Sequence, residues 1–89
     1  MVHITAVHMV GTSANEHIGA VRWRNPTSGK AGENSRESMV VWIRDENGKA
    51  RVADGQGSVQ VGVVNDDPPY LRTYADGRWT DNLLALPRY

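Results

Sequence analysis

A small α+β domain is what this sequence predicts: one short helix set into a small antiparallel sheet of about five to six strands, in the order β-β-α-β-β-β. Three observations lead there. Apolar and polar residues alternate with a period of two over residues 2–10, 18–24 and 58–65. A capped apolar run, "NSRESMVVWIRDENG", interrupts that pattern once. Turn chemistry, "GTSANE", "DGQG", "DDPP" and "ADG", separates the alternating runs and marks where strands end.

In residues 2–10, Val2, Ile4, Ala6 and Val10 fall on one side of a strand, with His3, Thr5, Val7 and Met9 on the other. Residues 18–24, "IGAVRWR", make a second strand in which Val21 and Trp23 project opposite to Ala20, Arg22 and Arg24. The short link between the two predicts an antiparallel hairpin. "NPTSGKAGEN", residues 25–34, is expected to be a mobile polar loop; its "GK" lacks the spacing of a phosphate-cradling loop. Asn34 with Glu37, or Ser35 in its place, supplies a helix N-cap, and Asn47-Gly48 a stop. Met39, Val40 and Ile43 share one face between them, so a helix over residues 35–46 is expected. Beyond it, residues 49–54 lead into "SVQVGVVN", where Val59, Val61 and Val63 form one apolar face. "YLRTYAD" and "RWT" make a last hairpin about Asp76-Gly77, and "DNLLALP" closes the chain as a helical turn or extended tail. No linker separates two domains, so residues 1–89 are expected to form one unit.

"YLRTYADGRWTDNLLALP", residues 70–87, is the most distinctive stretch. It resembles the C-terminal signature of a small bacterial and phage family catalogued as domain of unknown function 3892, and "HITAVHM", "HIGAVRW" and "SRESMVVWI" follow in the order that family leads one to expect. The resemblance implies a compact antiparallel domain with no assigned activity. The residues themselves suggest a structural clasp. Leu71 and Thr73 share a strand face opposite Tyr70, Arg72 and Tyr74; Trp79 is placed to pack across the hairpin from Ala75 or Tyr74. Thr80 or Asp81 is expected to cap the backbone ahead of Leu83, Leu84 and Leu86. Each leucine, if fully buried, contributes about 1.5–3 kcal/mol.

Composition removes several functions. With no Cys, disulfides, thiolate zinc sites and cysteine nucleophiles are excluded. His3, His8 and His17, with Glu16, are an incomplete and scattered ligand set, and neither a metal nor any other cofactor is expected. Asp54, Asp66, Asp67, Asp76 and Asp81 have turn, loop or cap duties, and Ser58 and Thr73 lack an adjacent base, so no catalytic residues and no enzyme are expected. No apolar run reaches the roughly eighteen residues of a membrane helix, and "MVHITAVHMV" has no basic leader, so the expected location is the cytoplasm.

What remains is binding. The leading expectation is a protein-interaction or self-associating module, with another protein or a second copy of the chain as partner, because small sheets expose pairing edges and Trp, Tyr and Arg anchor interfaces. The alternative is a single-stranded nucleic-acid-binding module. "RWR" and "GRWT" interleave arginine with tryptophan, so Arg22, Trp23, Arg24, Arg72, Arg78 and Trp79 would make a basic aromatic patch if the two hairpins share a face. Ten basic residues balance ten acidic ones, so any attraction to phosphate has to be local.

Overall fold

The computed structural model describes residues 1–89. Seven strands form one sheet: β1 (Val2–Met9), β2 (Ile18–Arg24), β3 (Ala31–Ser35), β4 (Ala50–Ala53), β5 (Ser58–Val64), β6 (Tyr70–Ala75) and β7 (Arg78–Thr80). Their order across the sheet is β3-β2-β1-β4-β5-β6-β7. The helix α1 (Arg36–Asp45) lies between β3 and β4, and single 3-10 turns span Asn15–His17 and Asn82–Ala85. No helix is long and apolar enough to cross a membrane.

Two features of the expected sheet are corrected. It has seven strands, and it is mixed: β1 and β4 run parallel, pairing at Val2–Ala50 and His3–Arg51. A helix between strands brings the chain back in the same direction, which a hairpin cannot do. Two antiparallel meanders, β1-β2-β3 and β4-β5-β6-β7, thus join along that central seam. The strand missed in the sequence is β3. Its residues, "AGENS", are poor strand formers, but the expected loop is shorter than its composition suggests. The Asn25 side chain accepts from the backbone N–H of Thr27 and Ser28 at 2.9 and 3.2 Å, and Gly29 takes φ 77°. That tight turn, closed by Asn25 N–H donating to the Lys30 carbonyl at 2.7 Å, returns Ala31 alongside Arg24.

The expected faces of β1 are also corrected. Pairing with β2 shifts register between Ile4 and Ala6. This bulge inserts Thr5 as an extra residue and swaps the alternation beyond it. Val2, Ile4 and Val7 are therefore buried together, while His3, Ala6 and His8 face the other way. Elsewhere the alternation runs as the sequence indicates: Val21, Val52, Val59, Val61, Leu71 and Thr73 are buried on the same side.

Helix α1 covers that side with Met39 and Val40. Ser35 is its N-cap, its hydroxyl accepting from Ser38 N–H at 3.1 Å. At the other end Asn47 adopts φ 61°, and Gly48 N–H donates to the Trp42 carbonyl at 2.8 Å. Ser35→Ala should lower the free energy of unfolding by about 1 kcal/mol, measured by urea denaturation; an unchanged midpoint would show the cap to be dispensable.

The C-terminal segment closes the core where β4 leaves β1. Val7 N–H donates to the Pro87 carbonyl at 3.0 Å, and Tyr89 N–H to the Val7 carbonyl at 3.2 Å, so residues 87–89 occupy the pairing edge that β4 vacates after His3. Leu83 is fully buried in the same cluster as Val7, Ile18 and Leu71, with Leu84 and Leu86 packed against its margin. The expected capping by Thr80 or Asp81 is corrected. Asn82 N–H instead donates to the buried Thr73 hydroxyl at 3.1 Å, and Thr80 Oγ1 donates within the same group. Asp81 is occupied otherwise, accepting from Asn15 and Arg72 at 3.0 and 2.9 Å.

Candidate nucleic-acid interface

Because α1 and the C-terminal 3-10 turn contribute their buried residues to one side of the sheet, the other side is left largely to side chains of the strands themselves. The pairing registers place those side chains in rows. One row crosses six strands: Arg24 opposite His3, His3 beside Arg51, Arg51 opposite Gln60, Gln60 opposite Tyr74, and Tyr74 opposite Trp79. At the usual spacing between strands, its five steps cover about 24 Å. Further residues flank it on opposite sides: Glu33, Arg22 and Ala6 lie toward the C-terminal end of β1, and Gly62 and Arg72 toward its N-terminal end.

The two ends of the long row differ in chemistry. At the β7 end, the Tyr74 and Trp79 rings meet edge to face, with centroids 5.1 Å apart and planes at 75°. Both remain substantially exposed, at 40% and 39%. Gly62 makes room for the indole: a Cβ there would lie 3.2 and 3.3 Å from Cζ3 and Cη2 of Trp79. At the β2 end, Arg24 is exposed and makes no ion pair. Arg51, near the middle, is oriented by donating to the Ser58 hydroxyl and carbonyl at 2.5 and 2.9 Å. These bonds fix the guanidinium without neutralising it.

The remaining cations of this face are partly compensated. Arg22 lies over the Tyr89 ring, 4.1 Å from its centroid, and 3.8 Å from the Glu33 carboxylate. Burial, and then the Glu33 charge, pushes the Tyr89 hydroxyl above its usual pKa. His8 Nδ1–H donates to the Tyr89 carbonyl at 2.6 Å. Arg72 donates to Asp81 at 2.9 Å and to the Thr80 carbonyl at 3.2 Å.

The net charge of zero therefore hides a separation. Strand side chains on the bare face supply Arg22, Arg24, Arg51 and Arg72; Glu33 lies beside Arg22 and Asp81 beside Arg72, which leaves Arg24 and Arg51 without a carboxylate partner. Glu37, Asp45 and Glu46 belong to α1 and its cap, and Asp54, Asp66, Asp67 and Asp76 to turns and loops.

Of the patch expected from sequence, Arg22, Arg24, Arg72 and Trp79 do share this face. Trp23 does not: it faces the α1 side, where its Nε1–H donates to Asn34 Oδ1 at 2.7 Å. Consecutive strand residues point to opposite faces, so "RWR" cannot present all its members together. Arg78 is also excluded. It pairs with Ala75, placing it on the opposite face at the sheet edge, and Arg72 turns toward Asp81 instead. Of the clasp residues, Tyr70 joins the bare face, whereas Leu71 and Leu83 are core. The sequence reading missed His3, Arg51, Gln60 and Tyr74 as members of one row. Their alternation was visible, but only the strand order makes them neighbours.

The histidines are similarly dispersed. His3 opposite Arg24 stands at one end of the β1–β2 hairpin, while His17, hydrogen-bonded to Thr12 at 2.8 Å, stands at the other.

No curated protein and no solved structure shows a significant match to the chain. A family model does match, over residues 3–87, almost the whole length and well beyond the C-terminal stretch that carries the resemblance. The chain belongs to the family described as "Protein of unknown function (DUF3892)".

Proposed function

We propose that the protein binds single-stranded nucleic acid on the bare face of its sheet. The observation that carries this reading is the row Arg24–His3–Arg51–Gln60–Tyr74–Trp79, which runs from uncompensated cations to exposed aromatic rings. Single strands are held by that combination elsewhere: cations track the backbone while bases stack on aromatic side chains with little sequence preference. A double helix fits less well, since neither a protruding helix nor a ribbon is offered to a groove. The proposed role is binding without catalysis.

The protein-interaction or self-association reading has less support from the strands. The outer edge β7 has only three residues, Arg78–Thr80. The other edge, β3, carries Glu33 and Gly32. Short and charged edges resist pairing with a further strand, which weighs against a homodimer built by sheet extension.

The test is fluorescence anisotropy of a labelled mixed-sequence oligonucleotide across a salt series. Affinity in the range of about 10⁻⁴–10⁻⁶ M, falling with salt, is expected. In Arg24→Gln/Arg51→Gln the magnitude of the log–log salt slope should fall by about 1.4, or roughly 0.7 for each phosphate no longer neutralised. Because Arg51 also bonds Ser58, Arg24→Gln alone serves as the variant least coupled to folding. Absence of binding at low salt would sink the proposal.

A further inference from the structure

On the opposite side of the sheet, between α1 and the β2–β3 strands, lies a cleft of about 660 Å³, a size typical of small-molecule sites. We infer that this cleft is a binding site for a small organic cation of the quaternary-ammonium type, held between the Trp23 and Trp42 indoles and the carboxylates of Glu37 and Glu46. The inference is independent of the nucleic-acid reading, because no residue of the Arg24–Trp79 row lines the cleft.

The indoles are held in place by the protein itself. Trp23 Nε1–H donates to Asn34 Oδ1 at 2.7 Å, and Asn34 Nδ2 donates to Ser38 Oγ at 3.1 Å, a chain of bonds linking β2, β3 and α1. Gly32 lets the ring settle on β3: a Cβ there would lie 2.6 Å from Cζ2. Trp42 is seated differently. A Cβ at Gly48 would collide with Cδ2 and Cε2, the two atoms shared by its fused rings. A point lying outside the ring in its own plane cannot be nearest to both, so Gly48 lies against the indole face. That closes one face of Trp42, whose indole also lines the cleft. Met39 and Val41 add an apolar wall, Val41 being 43% exposed.

Charge selects the occupant. Glu37 and Glu46 are the charged residues of the lining, with no Lys, Arg or His among them. Glu37 is held below the ordinary carboxylate pKa, first by a backbone hydrogen bond and then by Arg36, whose Nη2 donates to it at 3.0 Å. Arg36 shares that charge from outside the cleft, whereas Glu46 makes no ion pair. The protein's own cation–π contact, Arg22 on Tyr89, lies on the other face, so neither cleft indole already carries a cation. Aromatic faces attract a weakly hydrated cation through the ring quadrupole, and the carboxylates add Coulomb attraction. A neutral apolar guest gains only the wall.

The probe is choline, compared with 3,3-dimethylbutan-1-ol, which has the same shape without the charge. Both are titrated at constant ionic strength while the indole N–H resonances are followed by NMR. Choline should shift Trp23 and Trp42 and leave Trp79 unmoved, with an affinity about tenfold above that of the alcohol. Glu46→Gln, an exposed change at the helix end, should weaken choline by about two- to fivefold and leave the alcohol unaffected. Equal binding of the two compounds, no binding of either, or a shift confined to Trp79 would overturn the inference. So would a Gly-Ser peptide bearing trimethyl-lysine that binds more than about tenfold tighter than choline, since the occupant would then be a protein side chain. Loss of oligonucleotide binding in the parallel assay leaves these outcomes unchanged, so the two proposals fail separately.

Discussion

Leu83→Ala should lower the free energy of unfolding by about 2–5 kcal/mol, the range for emptying a sealed leucine site. Leu83 is fully buried and sits in a core cluster of 12 residues. The total stability of a domain this small is on the order of 5–15 kcal/mol, so this change removes a large share. Its position sharpens the effect. The 3-10 turn that carries Leu83 also aims residues 87–89 at the open edge of β1, where Val7 and Tyr89 make their backbone bonds. Losing the leucine therefore exposes the Val7 edge as well as leaving a cavity. Leu84→Ala, at the margin of the same cluster, should cost clearly less. Urea denaturation of both variants, with hydrogen exchange at Val7 N–H, checks the claim. Equal costs for the two would mean that the C-terminal turn is not seated as a plug.

How much of this fold is legible in the sequence follows from which signals are local. The alternation in β2, β5 and β6 identifies the buried faces because period-two patterning needs no partner strand. Ser35 and Asn47-Gly48 mark the helix ends for the same reason: caps and stops are satisfied within a few residues. The Thr5 bulge is not legible, because an extra residue in β1 is defined only by its pairing with β2. Nor is β3 legible from composition, since "AGENS" pairs on the strength of a turn held by the Asn25 side chain. The candidate site divides along the same line. Exclusion of Trp23 from the face of Arg22 and Arg24 follows from the pleat alone. Bringing Arg24, Arg51 and Trp79 into one row requires the parallel β1–β4 seam, which joins distant parts of the chain and leaves no local mark.

Trp79→Ala should weaken oligonucleotide binding by about 1–3 kcal/mol, or roughly 5–150-fold, the cost of losing one base–aromatic stack. The indole is partly exposed, sits on an edge strand and leans on Tyr74 at 5.1 Å and on the space left by Gly62. It thus offers an oriented ring without supporting the core. Two effects could weaken binding, and the salt series tells them apart. Removing an uncharged ring leaves the number of released counterions unchanged, so the slope should match that of the unaltered protein while the whole line moves down. The Arg24→Gln/Arg51→Gln protein should do the reverse, changing the slope. Trp79→Tyr, which keeps a stacking face, should recover most of the loss, and a thermal melt of each variant guards against unfolding as the cause. If Trp79→Ala binds as tightly as the unaltered protein while the arginine variant does not, the row acts through charge alone and the aromatic end has no part in it.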